Sequence, residues 1–246
     1  LKCFLSFLTF DFFLLTFSFS HRILAIECTH QCVSVAVGGP EGIVEETVWE
    51  WQRTAESIIP LVDKVLASAE IAVSDIDLLA LSSGPGSFTS LRIGMATAKG
   101  LAYGTAAPLV TVSTMEALAK SARDRVDSPF LVPAIPARKG EFYYALYASK
   151  DDGLEEIEKT TYAPVDRMKD FLELRKGRCA VVVRDISPLQ QVCRAAGVGA
   201  VKADFFTAAS LIPLANKKYT AGEISSLETV IPDYQQKFRP KKQGRK

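Results

Sequence analysis

Residues 23–51 read ILAIECTHQCVSVAVGGPEGIVEETVWEW, and the fold turns on them. ILAIE and VSVAV are short apolar runs of strand length, and IVEETVWEW alternates with a period of two. Gly38-Gly39-Pro40-Glu41-Gly42 is a turn, so three strands in succession form an antiparallel meander. A helix is predicted from about Thr54 to Glu70, apolar around much of its circumference, with Pro60 in its first turn or at a kink. IDLLALSS then reads as a buried strand, Gly84-Pro85-Gly86 as a turn, and Phe88 to Tyr103 as a helix stopped by Gly104. The first half is βββαβα.

The second half repeats that order. LVPAIP, EFYYALYAS and LEEIEKTTY are strands, divided by turns at Lys139-Gly140 and Asp151-Asp152-Gly153. A helix with Pro164 in its first turn and Gly177 after its end follows, then the strand CAVVV, then a helix opening at Ser187-Pro188 and stopping at Gly197. Two such passes imply two similar lobes, the α/β arrangement of ribonuclease-H-like and actin-like proteins. A strand and helix around residues 109–122 are expected to bridge the lobes, and a helix over about 207–221 to close the second. The expected divisions are a hydrophobic leader at 1–21, a first lobe at 22–108, a second at 109–227 and a C-terminal segment at 228–246.

Composition agrees with a globular chain. The 246 residues include 29 Lys and Arg against 28 Asp and Glu, and 48% are hydrophobic, which excludes disorder, collagen and a small disulfide knot. Residues 237–246, KFRPKKQGRK, carry six basic side chains and no acid, leaving a mildly acidic body with a basic tail. Five cysteines, Cys3, Cys28, Cys32, Cys179 and Cys193, form no C-x-x-C pair and suit free thiols in the cytoplasm. The Phe- and Leu-rich start carries Asp11 mid-run, which costs on the order of 3 kcal/mol in a membrane span. We expect a miscalled upstream start or a cloning remnant there, with a signal or anchor as the alternative, and no membrane partner.

The densest chemical signal is SSGPGSFTSLRIGMATAKGLAYG, residues 82–104. Glycines between a strand and a helix can expose N–H groups as an anion site. A P-loop would need Gly-Lys-Ser/Thr where Gly86-Ser87-Phe88 stands, and the dinucleotide pattern would need glycine at Thr89. A tight structural turn, a phosphate contact and a partner contact all remain open. Gly94 and Gly100 inside the helix each cost about 1 kcal/mol against alanine, so another backbone, the lobe's own sheet or a second chain's helix, is expected close by. The chain has only His21 and His30, which leaves no H-x-x-x-H pair. Cys28, His30 and Cys32 would share one face if extended, and no metal is expected there. Ser87 lacks a G-x-S-x-G elbow. Glu27 ends the first strand, where the actin-like fold places an acid facing the nucleotide's metal. The tail could neutralise RNA phosphates or simply solvate a terminus.

ILAIECTHQCVSVAV, QRTAESIIPLVDKVL, SSGPGSFTSLRIGMATAKGLA and AIPARKGEFYYALY together resemble the TsaB (YeaZ) family, relatives of the threonylcarbamoyl transferase TsaD. The resemblance runs from about Arg22 to Pro240, and GPGSFT-x-x-RIG is its specific part. It implies a non-catalytic scaffold that binds TsaD and, with the ATPase TsaE, supports formation of N6-threonylcarbamoyladenosine beside the anticodon of tRNAs reading ANN codons. It further implies a homodimer in isolation, no required cofactor beyond weak ATP or ADP at the complex, and tRNA contact that is indirect or through the tail. Peptidase-like labels would need metal-binding histidines that this chain lacks. Where the family tends to read Asp-Thr-Ser-Thr, this chain has Glu27-Cys28-Thr29-His30; Thr54, Ser90 and Pro136 replace a usual His, Gly and Asp. Each change weakens a nucleotide site. Glu27, Thr29, Gly84, Gly86 and Ser87 are the candidate vestigial phosphate site. Ile58, Val62, Arg92, Met95, Ala96 and Lys99, from helical spacing and family position, are the candidate partner contacts. The rival reading is an actin-like phosphotransferase or ATPase with a weak nucleotide site at Glu27 and the glycine turn.

Overall fold

The computed structural model describes residues 19–30, 32–50, 53–150 and 153–235, so the leader up to residue 18 and the basic tail lie outside it. The meander forms as read: β1 (Ile23–Glu27), β2 (Val33–Gly39) and β3 (Gly42–Val48) pair antiparallel in succession. Helix α1 (Thr54–Ser68), β4 (Leu78–Gly84), α2 (Phe88–Thr105) and β5 (Leu109–Ser113) complete the first sheet in the order β3-β2-β1-β4-β5. Helix α3 (Thr114–Arg123) follows directly. The second sheet is built from β6 (Phe130–Pro136), β7 (Glu141–Lys150), β8 (Gly153–Pro164), β9 (Cys179–Val183) and β10 (Gly199–Lys202), in the order β8-β7-β6-β9-β10. Helices α4 (Val165–Glu173) and α5 (Gln190–Ala196) connect its last three strands, and α6 (Ile212–Thr220) comes after. In both sheets β1 or β6 pairs antiparallel with the next strand and parallel with the one after the helix.

Alternation along β1 explains the layering. Ile23 and Ala25 face a central layer shared with α3, α6 and the second sheet, where Leu131, Tyr143 and Val182 meet them. Leu24 and Ile26 face outward under α1 and α2. The second sheet's other face lies under α4 and α5. Strands covered on both faces read as nearly continuous apolar runs, as ILAIE and CAVVV do.

Several expectations change. Leu109–Ser113 is the fifth strand of the first sheet, so the first lobe extends past 108, and of the expected strand-and-helix bridge only α3 lies in the layer between the sheets. Helix α6, expected to close the second lobe, packs on β1 and β5 of the first. It is preceded by a separate 3-10 turn, Ala208–Leu211, and does not run continuously from 207. Residues beyond it stay with the first lobe, Ser225 donating its N–H to Leu109 O at 2.8 Å. Strand β10 is an addition, and α5 starts at Gln190, later than Ser187-Pro188. Pro60 lies in the middle of α1 and on its exposed side, where water can serve the carbonyl it leaves without a donor. Among the described residues no helix is long and apolar enough to cross a membrane.

Candidate functional site

Glu27 closes β1 fully buried, and its Oε1 accepts from Thr29 N–H at 2.8 Å and from the Thr29 hydroxyl. Its Oε2 has no hydrogen-bond partner. At the end of β4, Gly84 takes φ +114, a left-handed region that favours glycine, and donates its N–H to Thr114 Oγ1 at 3.1 Å. Ser87 N–H donates to Thr29 O at 2.7 Å, which presses the two turns together. A Cβ on Gly86 would stand 2.5 Å from that oxygen, so glycine is required there by close approach. The structure therefore gathers Glu27, Thr29, Gly84, Gly86 and Ser87 at the carboxyl ends of β1 and β4. Three of the amides that could face an anion are already engaged: Thr29 with Glu27, Gly84 with Thr114, Ser87 with Thr29. Ser87 Oγ also accepts from Ser90 N–H at 3.4 Å and caps α2. Thr54 and Ser90, two of the departures from the family pattern, touch through their hydroxyls at 3.2 Å and tie the heads of α1 and α2.

Two residues that sequence reading passed over join the lobes. Arg184, just after β9, is 4% exposed and donates from Nη2 to Phe206 O; its guanidinium lies 5.0 Å from the Phe206 ring centroid and 5.9 Å from that of Trp49. Burial, helped by this cation, lowers the pKa of His30 to about 4, and burial pushes the Cys32 thiol up to about 12 against the pull of Arg184. Glu45 of β3 accepts from Ser34 Oγ at 2.8 Å, Ala209 N–H at 2.9 Å and Thr207 Oγ1 at 3.0 Å. Ser34 Oγ in turn accepts from Ala208 N–H at 3.1 Å. The first lobe thus supplies the acceptors for the start of the 3-10 turn after β10. A polar residue right after a wholly buried strand was the available signal for Arg184; Glu45 reads as an ordinary outward position of β3. Cys28, His30 and Cys32 lie in the bend between β1 and β2 and do not share a strand face: Cys28 Sγ lies under α2 and donates to Ser90 O, while Cys32 neighbours Arg184. Among the described residues no three His, Cys, Asp or Glu gather as metal ligands. A groove of about 440 Å³ between β3 and α1 lies apart from this cluster, with Lys64 paired to Glu46 and Arg53 to Glu50 and Glu56 on its walls.

The partner contacts divide. Ile58, Val62 and Met95 are buried in the first lobe's outer core and are corrected here from surface to core residues, because apolar positions on an amphipathic helix go to the sheet first. Arg92 and Ala96 are exposed and Lys99 is half-buried. Sequence reading missed their neighbours Phe88 and Tyr103, 51% and 87% exposed, and Ile59 on α1. Phe88, Arg92, Ala96 and Gly100 recur every four residues, one face of the helix. The two helix glycines part company. A Cβ on Gly94 would stand 2.5 Å from Cys28 Sγ, so the lobe's own sheet explains it; around Gly100 there is open space.

Two equivalent five-stranded sheets, antiparallel at one end and parallel at the other, packed through a shared helical layer define a duplicated actin-like, ribonuclease-H-like protein. Residues 42–208 match the family of TsaD, tRNA N6-adenosine threonylcarbamoyltransferase. The chain belongs to this family, and the curated proteins it is similar to include several named TsaB. It is 34% identical over 139 residues to the tRNA threonylcarbamoyladenosine biosynthesis protein TsaB of Escherichia coli, an alignment covering 56% of this chain and 60% of that one. With TsaB of Bacillus subtilis it shares 27% over 219 residues, 86% of this chain and 93% of the relative. YeaZ from Pseudomonas aeruginosa superposes with a TM-score of 0.72 at 21% identity, covering 87% of this chain and 99% of that one, and shares its fold.

Proposed function

We propose that this chain is a non-catalytic scaffold in tRNA threonylcarbamoyladenosine biosynthesis, docking the TsaD transferase through the outer faces of α1 and α2. The observation that carries the reading is Gly100. A glycine in the interior of an exposed helix costs about 1 kcal/mol and here gains no contact within the monomer, while Phe88, Ala96 and Tyr103 lie exposed along the same helix. The transferase family matches the stretch holding both helices, so a paralogous partner would offer an equivalent pair, and a four-helix contact follows from pseudo-two-fold pairing. The engaged turn amides and the bonded lobes support a scaffold over a hinge-closing enzyme. A second copy of the chain would fill the face in isolation, TsaE would join the assembled complex in the cytoplasm, and tRNA would meet the complex or the basic tail.

The test is size exclusion with light scattering on residues 22–246, alone and with the same organism's TsaD. A one-to-one complex formed at the expense of a homodimer is expected, and Ala96→Arg should abolish it. An unchanged complex with Ala96→Arg would reject this face. The unpartnered Glu27 Oε2 and Ser82 Oγ favour a rival weak nucleotide site. ATP with magnesium raising the melting temperature, together with turnover by this chain alone, would install the rival.

A further inference from the structure

The last described stretch of the chain returns to the first lobe and ends on the face proposed to receive the transferase. Ser225 bonds to the free edge of β5 through its N–H to Leu109 O and its Oγ from Thr111 N–H at 3.3 Å. Leu227 and Val230 then pack against the first lobe's outer core. Asp233 donates its N–H to Ser83 O at 2.8 Å beside the glycine turn. Tyr234 lands on α2, its ring 5.1 Å from that of Phe88 and its hydroxyl accepting from Arg92 Nε at 3.1 Å. The Arg92 guanidinium is held 4.0 Å over the Phe88 ring and 5.9 Å from the Tyr234 ring.

This arrangement does more than tidy a terminus. An exposed arginine carries about 2 kcal/mol of rotamer freedom that a binding partner would otherwise have to freeze. Here two aromatic rings and a hydroxyl fix it beforehand, and among the described residues its guanidinium makes no ion pair. A planar guanidinium with a free edge fits a carboxylate in bidentate geometry. Helix α2 contains Arg92 and Lys99 and no acidic residue, so its outer face complements an acidic surface. Arg and Tyr flanked by exposed apolar groups have the composition of an interface hot spot.

We infer that the segment ending in Tyr234 is a third element of the transferase-docking face, beside α1 and α2, and that Tyr234 is a positioning residue holding Arg92 for a carboxylate of the partner. The inference rests on the docking reading above, and the experiment separates the two. The full chain and its variants are titrated by calorimetry against the same organism's TsaD at low and high salt. Tyr234→Ala should weaken binding by about tenfold or more, and Arg92→Lys, which keeps charge but loses the fork, by a similar factor. Tyr234→Phe should lose roughly threefold with an unchanged melting temperature, which guards against a folding defect. The double variant Arg92→Lys with Tyr234→Phe should be no weaker than Arg92→Lys alone, because the hydroxyl acts through the guanidinium. The advantage of wild type over Arg92→Ala should shrink at about 1 M salt. If Ala96→Arg abolishes binding while both Tyr234 variants bind like wild type, the segment is only a wrap and the inference falls with the docking reading intact. Tighter binding by Tyr234→Ala would make the segment a competitor and also overturn it. Wild-type binding by Ala96→Arg removes the face and the inference together.

Discussion

The two sheets share one strand order and one pattern of polarity, yet their outer helices are built to different lengths. Over the first sheet α1 and α2 have 15 and 18 residues; over the second α4 and α5 have 9 and 7. At 1.5 Å per residue α2 reaches about 27 Å and α5 about 10 Å. Short helices suffice to roof a sheet: α4 and α5 bury only Met168, Leu172, Cys193 and Ala196. The extra turns of α2 present Phe88, Ala96, Gly100 and Tyr103 outward. The helices over the second sheet do little more than cover its core, whereas α2 over the first also presents a long outer face with exposed aromatic side chains.

The sharpest way to break this comparison is to put the same charge on each outer layer. Ala96→Arg should weaken transferase binding by about 100-fold or more, while Asp170→Arg on exposed α4 should leave it unchanged in the same titration. The two glycines of α2 divide next. Gly94→Ala meets Cys28 Sγ and Leu81 and should destabilise the chain by about 2 kcal/mol in urea unfolding. Gly100→Ala, facing open space, should stabilise the isolated chain by about 1 kcal/mol and weaken the complex.

The cleft between the lobes gives a pH signature. His30 holds its folded pKa near 4, below the ordinary 6.5, so the unfolded chain binds the proton more strongly. The stability from keeping it neutral is intact above pH 6.5 and lost as pH falls toward 4. His30→Gln should flatten that part of a melting-temperature profile, an effect on the order of 3 kcal/mol. The smallest contrast lies at helix ends. α2 closes on Ala106 at φ +59 and α5 on Gly197 at φ +65. Ala106→Gly should stabilise by about 1 kcal/mol and Gly197→Ala should destabilise by at least as much, since its Cβ would also stand 2.8 Å from the Lys176 side chain; thermal melts read both.

The meander and both β-helix-β passes were legible because strands buried on two faces are apolar throughout and their turns are marked by glycine. Strand β10 was not, since GAVK has four residues with a glycine and a lysine at its ends. Strand β5 read as a bridge because LVTVS runs into α3 with no turn between them. The glycine turn was visible as a site, but its closure depends on Ser87 reaching Thr29, a pairing across 58 positions that no local pattern encodes. The proposed docking face lies one step from the residues that sequence picks: hydrophobicity selects Ile58, Val62 and Met95, which the core claims. The outer face is marked instead by residues that are costly where they stand, Gly100 inside a helix and Phe88 and Tyr103 in water.

The residues that follow α6 also guard a border. An edge strand with unpaired N–H and C=O groups invites a foreign strand to add to it. In the second sheet β10 is too short to template much, and β8 carries Glu155, Glu156, Glu158 and Lys159 along a bulged edge. β5 has neither defence: LVTVS is uncharged and β-branched. Ser225 bridges to Leu109 on that edge, so the stretch that ends at Tyr234 also blocks the start of β5 to a foreign strand, and a chain cut short before it would leave that edge open as a template for strand addition.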